Sequence, residues 1–169
     1  MRLASTVLFL ILAATAAIAD EHDTDFDPQA DFTSYKTFTI REGQVTSNKP
    51  ELNSPLTRKK IEDSLRQQLI GKGLKEATGQ VDLVVTFRLG TADRRQVESF
   101  PAGRFGRGRR LETFKFTEGT LVVNLLDRQG RDLVWRGIYR DDEQNASKLS
   151  DRLPGDIKKL FEEYPPKKK

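Results

Sequence analysis

The sequence predicts an α+β domain, a two-layer sandwich in which two amphipathic helices cover one face of a mostly antiparallel sheet of about 4–5 strands. Three observations carry this. Val81, Leu83, Val85, Phe87 and Leu89 occupy every second position, the period of a strand with one covered face. Leu149, Leu153, Ile157, Leu160, Phe161 and Tyr164 recur at intervals of three or four, which is a helical stripe. Between them, residues 120–126 and 133–140 flank the turn-forming stretch Asp127-Arg128-Gln129-Gly130-Arg131, the pattern of a hairpin. The order is strand, helix, three or four strands, helix.

Taken in order, residues 1–19 read as a signal peptide. Met1 and Arg2 give a basic start, residues 3–18 are apolar or small, and Ala17-Ile18-Ala19 supplies a small-x-small site before Asp20-Glu21-His22-Asp23. The apolar run is shorter than the roughly 20 residues a spanning helix needs, so cleavage after Ala19 is expected over an uncleaved anchor. Residues 20–31 are acidic, lack periodicity and contain Pro28, and read as an extended lead-in. Order is expected to begin near Phe32 and to continue as a single domain over residues 32–166, with 167–169 a basic tail.

Within that domain, residues 35–40 alternate large apolar with polar side chains and predict a first short strand. Ser54-Pro55 is a helix start, because serine accepts orphan amide hydrogens and proline tolerates the first helical position. Leu56, Ile61, Leu65 and Leu69 carry that helix to about Ile70, where Gly71 or Gly73 can end it. Arg58, Lys59 and Lys60 lie in its first turns, where the helix dipole favours negative charge; they are either a solvated face or an anion-facing patch. Residues 90–110, with Pro101, Gly103, Gly106 and Gly108, predict a loop. Phe114 and Phe116 alternate again and lead through Gly119 into residues 120–126, apolar on both faces and therefore an inner strand. Pro154-Gly155 interrupts the last stripe, which predicts a kink or a helix starting near Pro154, since an interior proline costs about 3 kcal/mol. Pro165-Pro166 ends it.

Composition excludes several chemistries. The chain has no cysteine, so disulfides, thiolate zinc sites and a cysteine nucleophile are out, and so is the acylated cysteine of a lipoprotein. His22 is the only histidine and sits in the lead-in, leaving no material for a serine triad, histidine acid/base work or a histidine metal cluster. Acidic runs such as Asp141-Asp142-Glu143 read as solvated turns, and no phosphate-cradling glycine motif precedes a helix. No catalytic, cofactor-binding or metal-ligating residue is therefore assigned, and no enzyme is expected.

Two candidate sites remain. Arg104, Arg107, Arg109 and Arg110, with Arg94 and Arg95 upstream, form a glycine-spaced basic segment whose guanidinium forks match phosphate geometry. Glu118 and Arg136 form a candidate structural pair at a strand end.

The pieces Asp25-Phe26-Asp27, Ala30-Asp31-Phe32, Tyr35-Lys36-Thr37-Phe38 and Val81-Asp82-Leu83-Val84-Val85 form the first half of a longer pattern. Glu118-Gly119-Thr120-Leu121-Val122-Val123 with Leu125 and Asp127, Leu133-Val134-Trp135-Arg136-Gly137, and Tyr164-Pro165-Pro166 complete it. In order and spacing they resemble a bacterial family known as domain of unknown function 4136, many of whose members are envelope lipoproteins. The resemblance implies the fold and the envelope compartment, and carries no activity, cofactor or catalytic residue. The chain departs from the family's lipoproteins in lacking their cysteine and in its arginine-rich segment.

The expectation is thus an exported, periplasmic or extracellular protein that is not lipid-anchored and has no transmembrane span after processing. It would be a binding or assembly module for an envelope component: an acidic lipid, a polysaccharide or a protein. Nucleic acid is disfavoured for an exported chain, and a homo-oligomer is compatible. The alternatives are a self-associating structural protein and a carboxylate-based hydrolase.

Overall fold

The computed structural model describes residues 21–41, 43–90, 94–101, 109–116, 119–127, 132–141, 143 and 145–167, with backbone alone over 94–101 and 109–116. The expected signal peptide lies outside the described residues. In chain order the elements are β1 (Glu21–Phe26), β2 (Thr37–Ile40), β3 (Gln44–Thr46), α1 (Pro55–Gly71), β4 (Lys75–Glu76), β5 (Leu83–Gly90), β6 (Arg94–Pro101), β7 (Arg109–Phe116), β8 (Thr120–Asp127), β9 (Asp132–Arg140) and α2 (Ala146–Glu162).

The alternating run at Val81–Leu89 becomes β5, and its partners build the sheet. On one side, β5, β8, β9 and β1 follow one another in antiparallel pairs. On the other, β5 pairs in parallel with β2 along its first half and with β3 along its second, and β4 adds in parallel to β2. Parallel neighbours need a crossover, which α1 supplies. The sheet is therefore mixed and seven-stranded, larger and less antiparallel than expected. The extra strands β3 and β4 are three and two residues long, too short to show a period.

The α+β class holds. α1 and α2 pack on each other and on one face of the sheet, where Phe38, Leu83, Val85, Phe87, Leu121, Val123, Leu125, Trp135 and Tyr139 meet Ile61, Leu65, Leu69, Leu153, Ile157, Leu160 and Phe161. Trp135 lies 5.2 Å from Phe161 and 5.6 Å from Tyr164 between ring centroids, and Phe32 reaches Tyr164 at 5.9 Å. Gly137 faces this cluster: a Cβ there would stand 2.6 Å from both Leu160 Cγ and Trp135 Cη2. Gly43, between β2 and β3, lies against the Phe87 ring so closely that a Cβ would fall 2.0 Å from Cζ.

Regular structure is already present over Glu21–Phe26, ahead of the expected start near Phe32. The lead-in needs no apolar period, because as β1 it joins the sheet through its backbone, residue by residue along β9. Thr24 Oγ1 donates to the Glu163 carboxylate, His22 Nε2 lies 3.4 Å from the same group, and Phe26 packs against the core.

α1 follows the expected signals: Thr57 N–H donates to Ser54 Oγ at 3.1 Å, and Gly73 takes a φ of +89° just past the end. α2 departs from them. It starts at Ala146, capped by Asn145 Oδ1 accepting from Lys148 N–H at 3.0 Å, and runs through Pro154. Proline has no N–H to offer the Ser150 carbonyl one turn earlier. Lys60 of α1 offers one instead: its Nζ donates to Ser150 O at 3.0 Å and to Asp151 Oδ1 at 3.1 Å.

β2 is tied to the start of β5 by Asp82, whose Oδ2 accepts from Lys36 N–H, Thr37 N–H and Thr37 Oγ1, each at 2.9 Å. These donors, led by the Lys36 amide, hold the carboxyl below the usual aspartate range. A lowered folded value contributes stability that is present above the unfolded value, near 3.9, and is lost as pH falls through the folded one. Asp82→Ala is therefore expected to cost about 2 kcal/mol in urea unfolding at neutral pH, with the deficit shrinking in acid. A deficit constant down to pH 2 would refute the assignment.

Candidate anion-binding ribbon

Residues 90–110 are not the single loop expected. Arg94–Pro101 and Arg109–Phe116 pair antiparallel over eight residues as a separate two-stranded ribbon. Arginine and glycine dilute the apolar period here, and the backbone pairing of two strands needs no continuous apolar face. Arg104 and Arg107 fall in the connection, outside the described residues. Arg109 and Arg110 open β7, opposite Pro101 and Phe100.

The register sorts charge by face. Arg95 stands opposite Lys115, and the period of two puts Arg109 on the same face as Lys115, together with Val97, Ser99, Leu111 and Thr113. That face has no acidic position. The other carries Glu98 opposite Glu112, along with Arg94, Phe100, Arg110, Phe114 and Phe116. Like charges directly opposite one another disfavour a strand pair, at the Arg95 and Lys115 positions as at Glu98 and Glu112.

The ribbon's place on the domain follows from β9. β6 packs against β9, whose edges are taken by β1 and β8 and whose helix side is taken by α2, so β6 approaches from the remaining face. On that face Thr120, Val122, Asn124 and Arg136 are all buried, and Arg136 Nε donates to Asn124 Oδ1 at 2.8 Å across β8 and β9. Glu118 lies outside the described residues, and so does the expected pairing with Arg136.

The basic turns of α1 serve local contacts. Lys59 bonds Asp63 at 2.8 Å, and Lys60 spans to α2. Asp141, expected in a solvated turn, is buried: its Oδ1 accepts from Glu143 N–H at 2.8 Å and from Arg152 Nη1 at 3.2 Å, and its N–H donates to Gly119 O at 3.2 Å. It locks the end of β9 to the start of β8, a role that only the three-dimensional neighbours reveal. Among the described residues no group of three or more His, Cys, Asp or Glu is placed to hold a metal ion. Among them, too, no helix is long and apolar enough to cross a membrane.

The family model described as "Domain of unknown function (DUF4136)" matches residues 22–166, from β1 to the segment after α2. The chain belongs to the DUF4136 family. A crystal structure of a DUF4136 family protein from Bacteroides thetaiotaomicron is similar in fold, at 17% identity and TM-score 0.62, over 86% of this chain and 96% of that one. A PDZ domain protein from Parabacteroides distasonis matches at 14% identity and TM-score 0.55, over 89% of this chain but 36% of its own length. The PelC dodecamer from Paraburkholderia phytofirmans matches at 13% identity and TM-score 0.48, over 85% of this chain and 95% of that one. A search of curated proteins finds no match. At these identities the first two likenesses establish the DUF4136 fold and leave ligands open.

Proposed function

We propose that this protein is exported and acts without catalysis, as an envelope binding module that contacts an anionic partner through the β6–β7 ribbon and its arginine segment. The observation that carries the reading is the register of the ribbon, which gathers Arg95, Arg109 and Lys115 on a face without acidic positions and joins β6 to β7 through Arg104 and Arg107. The apolar leader of residues 1–19 supports export, and an exported cationic ribbon meets lipid phosphates before other polyanions.

Flotation with phosphatidylglycerol vesicles, against phosphatidylcholine controls, tests this. The protein is expected to bind the acidic vesicles at low salt and release as salt screens the contact. An arginine near an anionic surface contributes about 1 kcal/mol, so replacing Arg104, Arg107, Arg109 and Arg110 by Ala should weaken binding about a thousandfold. Equal binding of wild type and variant would remove the ribbon from the account.

A further inference from the structure

β1 is the outermost strand of the sheet, with β9 on one side and no strand on the other among the described residues. Asp27 N–H donates to Val134 O at 3.0 Å, in register with the β1–β9 pairing. In an antiparallel ladder the direction of the backbone groups alternates, so Asp25 and Asp23 also turn theirs toward β9, while His22, Thr24 and Phe26 point their N–H and C=O groups outward. The side chains alternate as well. His22, Thr24 and Phe26 turn to the helix side, where they meet Glu163 and the core. Asp23 and Asp25 take the opposite face, are exposed, and make no ion pair among the described residues.

The edge thus offers a row of backbone donors and acceptors beside two exposed carboxylates. Those charges repel a second β1 and so disfavour symmetric pairing of two such edges. They suit an extended strand of opposite charge with an edge of its own to offer, and the chain contains one in the β6–β7 ribbon. We propose that the β6–β7 ribbon of a second copy adds through β7 to the β1 edge, bringing the face that carries its Arg109 and Lys115 onto the side of Asp23 and Asp25. The two surfaces differ, so the association is head-to-tail, and each copy both gives and receives a ribbon. The proposal rests on the ribbon being a binding element, as above, but not on its meeting lipid.

Sedimentation velocity of the full exported chain at low and high salt tests it. Association is expected at low salt and should fall at least tenfold at high salt. Asp23→Lys with Asp25→Lys, and separately Arg109→Glu with Lys115→Glu, should each give monomers. Mixed together, the two variants offer one unaltered pair of surfaces and one charge-swapped pair, so association is expected to return. Hydrogen exchange at the Thr24 and Phe26 amides should slow on association of the wild type. A wild type monomeric at low salt, aspartate variants that associate as wild type does, or unchanged exchange at those amides would each overturn the proposal. The aspartate variants should keep the wild-type circular dichroism spectrum, which shows that they fold, and keep binding phosphatidylglycerol vesicles, which separates this contact from the lipid reading.

Discussion

Trp135→Ala is expected to lower the unfolding free energy by about 3–5 kcal/mol. Trp135 is fully buried on β9, where its ring meets Phe161 of α2 and Tyr164 beyond it, so truncation opens a hole at the joint between both layers and the C-terminal segment. Among the described residues the indole Nε1–H finds no acceptor, so the side chain contributes by packing. Trp135→Phe should accordingly cost only about 1 kcal/mol. Urea unfolding followed by far-ultraviolet circular dichroism is the suitable measurement, because both variants lose the chain's single tryptophan and with it the fluorescence signal. A Trp135→Ala protein within 1 kcal/mol of wild type would mean that this joint is not the centre of the core.

Gly119→Ala should be nearly as damaging, at about 3–4 kcal/mol. Gly119 has a φ of +78°, and a Cβ on it would stand 2.1 Å from the Asp141 carbonyl oxygen. Backbone strain and steric overlap act together here, and the obstructing atom is main chain, which cannot swing aside. Gly155→Ala is the internal control. It lies within α2 with open space around its Cβ position, so the substitution should be neutral or stabilising by up to about 1 kcal/mol. Equal effects at the two positions in thermal unfolding would show that the Gly119 conformation is not required.

The parts of the fold legible in the sequence were those that bury an apolar period. β5, β8, β9 and α1 appear close to their expected limits, and Leu83, Val123 and Leu160 are buried as their spacing required. What could not be read was structure held by the backbone or by polar partners. β1 joins the sheet with the sequence Glu-His-Asp-Thr-Asp-Phe, which has no strand period, and β3 and β4 follow only from the path of β5. The candidate site was legible as composition and not as geometry. The arginine segment stood out, but its division between a ribbon strand and a connection depends on pairing between Pro101 and Arg109 that no local pattern announces. Asp141 is hidden from the sequence for a related reason: an acidic run gives no sign that its first member is covered by Gly119 and Arg152.

The bond from Lys60 to the Ser150 carbonyl makes two distant positions answerable to each other. One helix lacks a donor because of its proline, and the other lends a cation to fill the gap, so the proline acts as a socket that registers α1 against α2. A lysine in the first turns of α1, unfavourable by its own helix's dipole, is thereby favourable to the pair. Exchange of Pro154 for an ordinary helix former would return the carbonyl to its own turn and leave Lys60 to Asp151 and the Ser150 hydroxyl alone on α2.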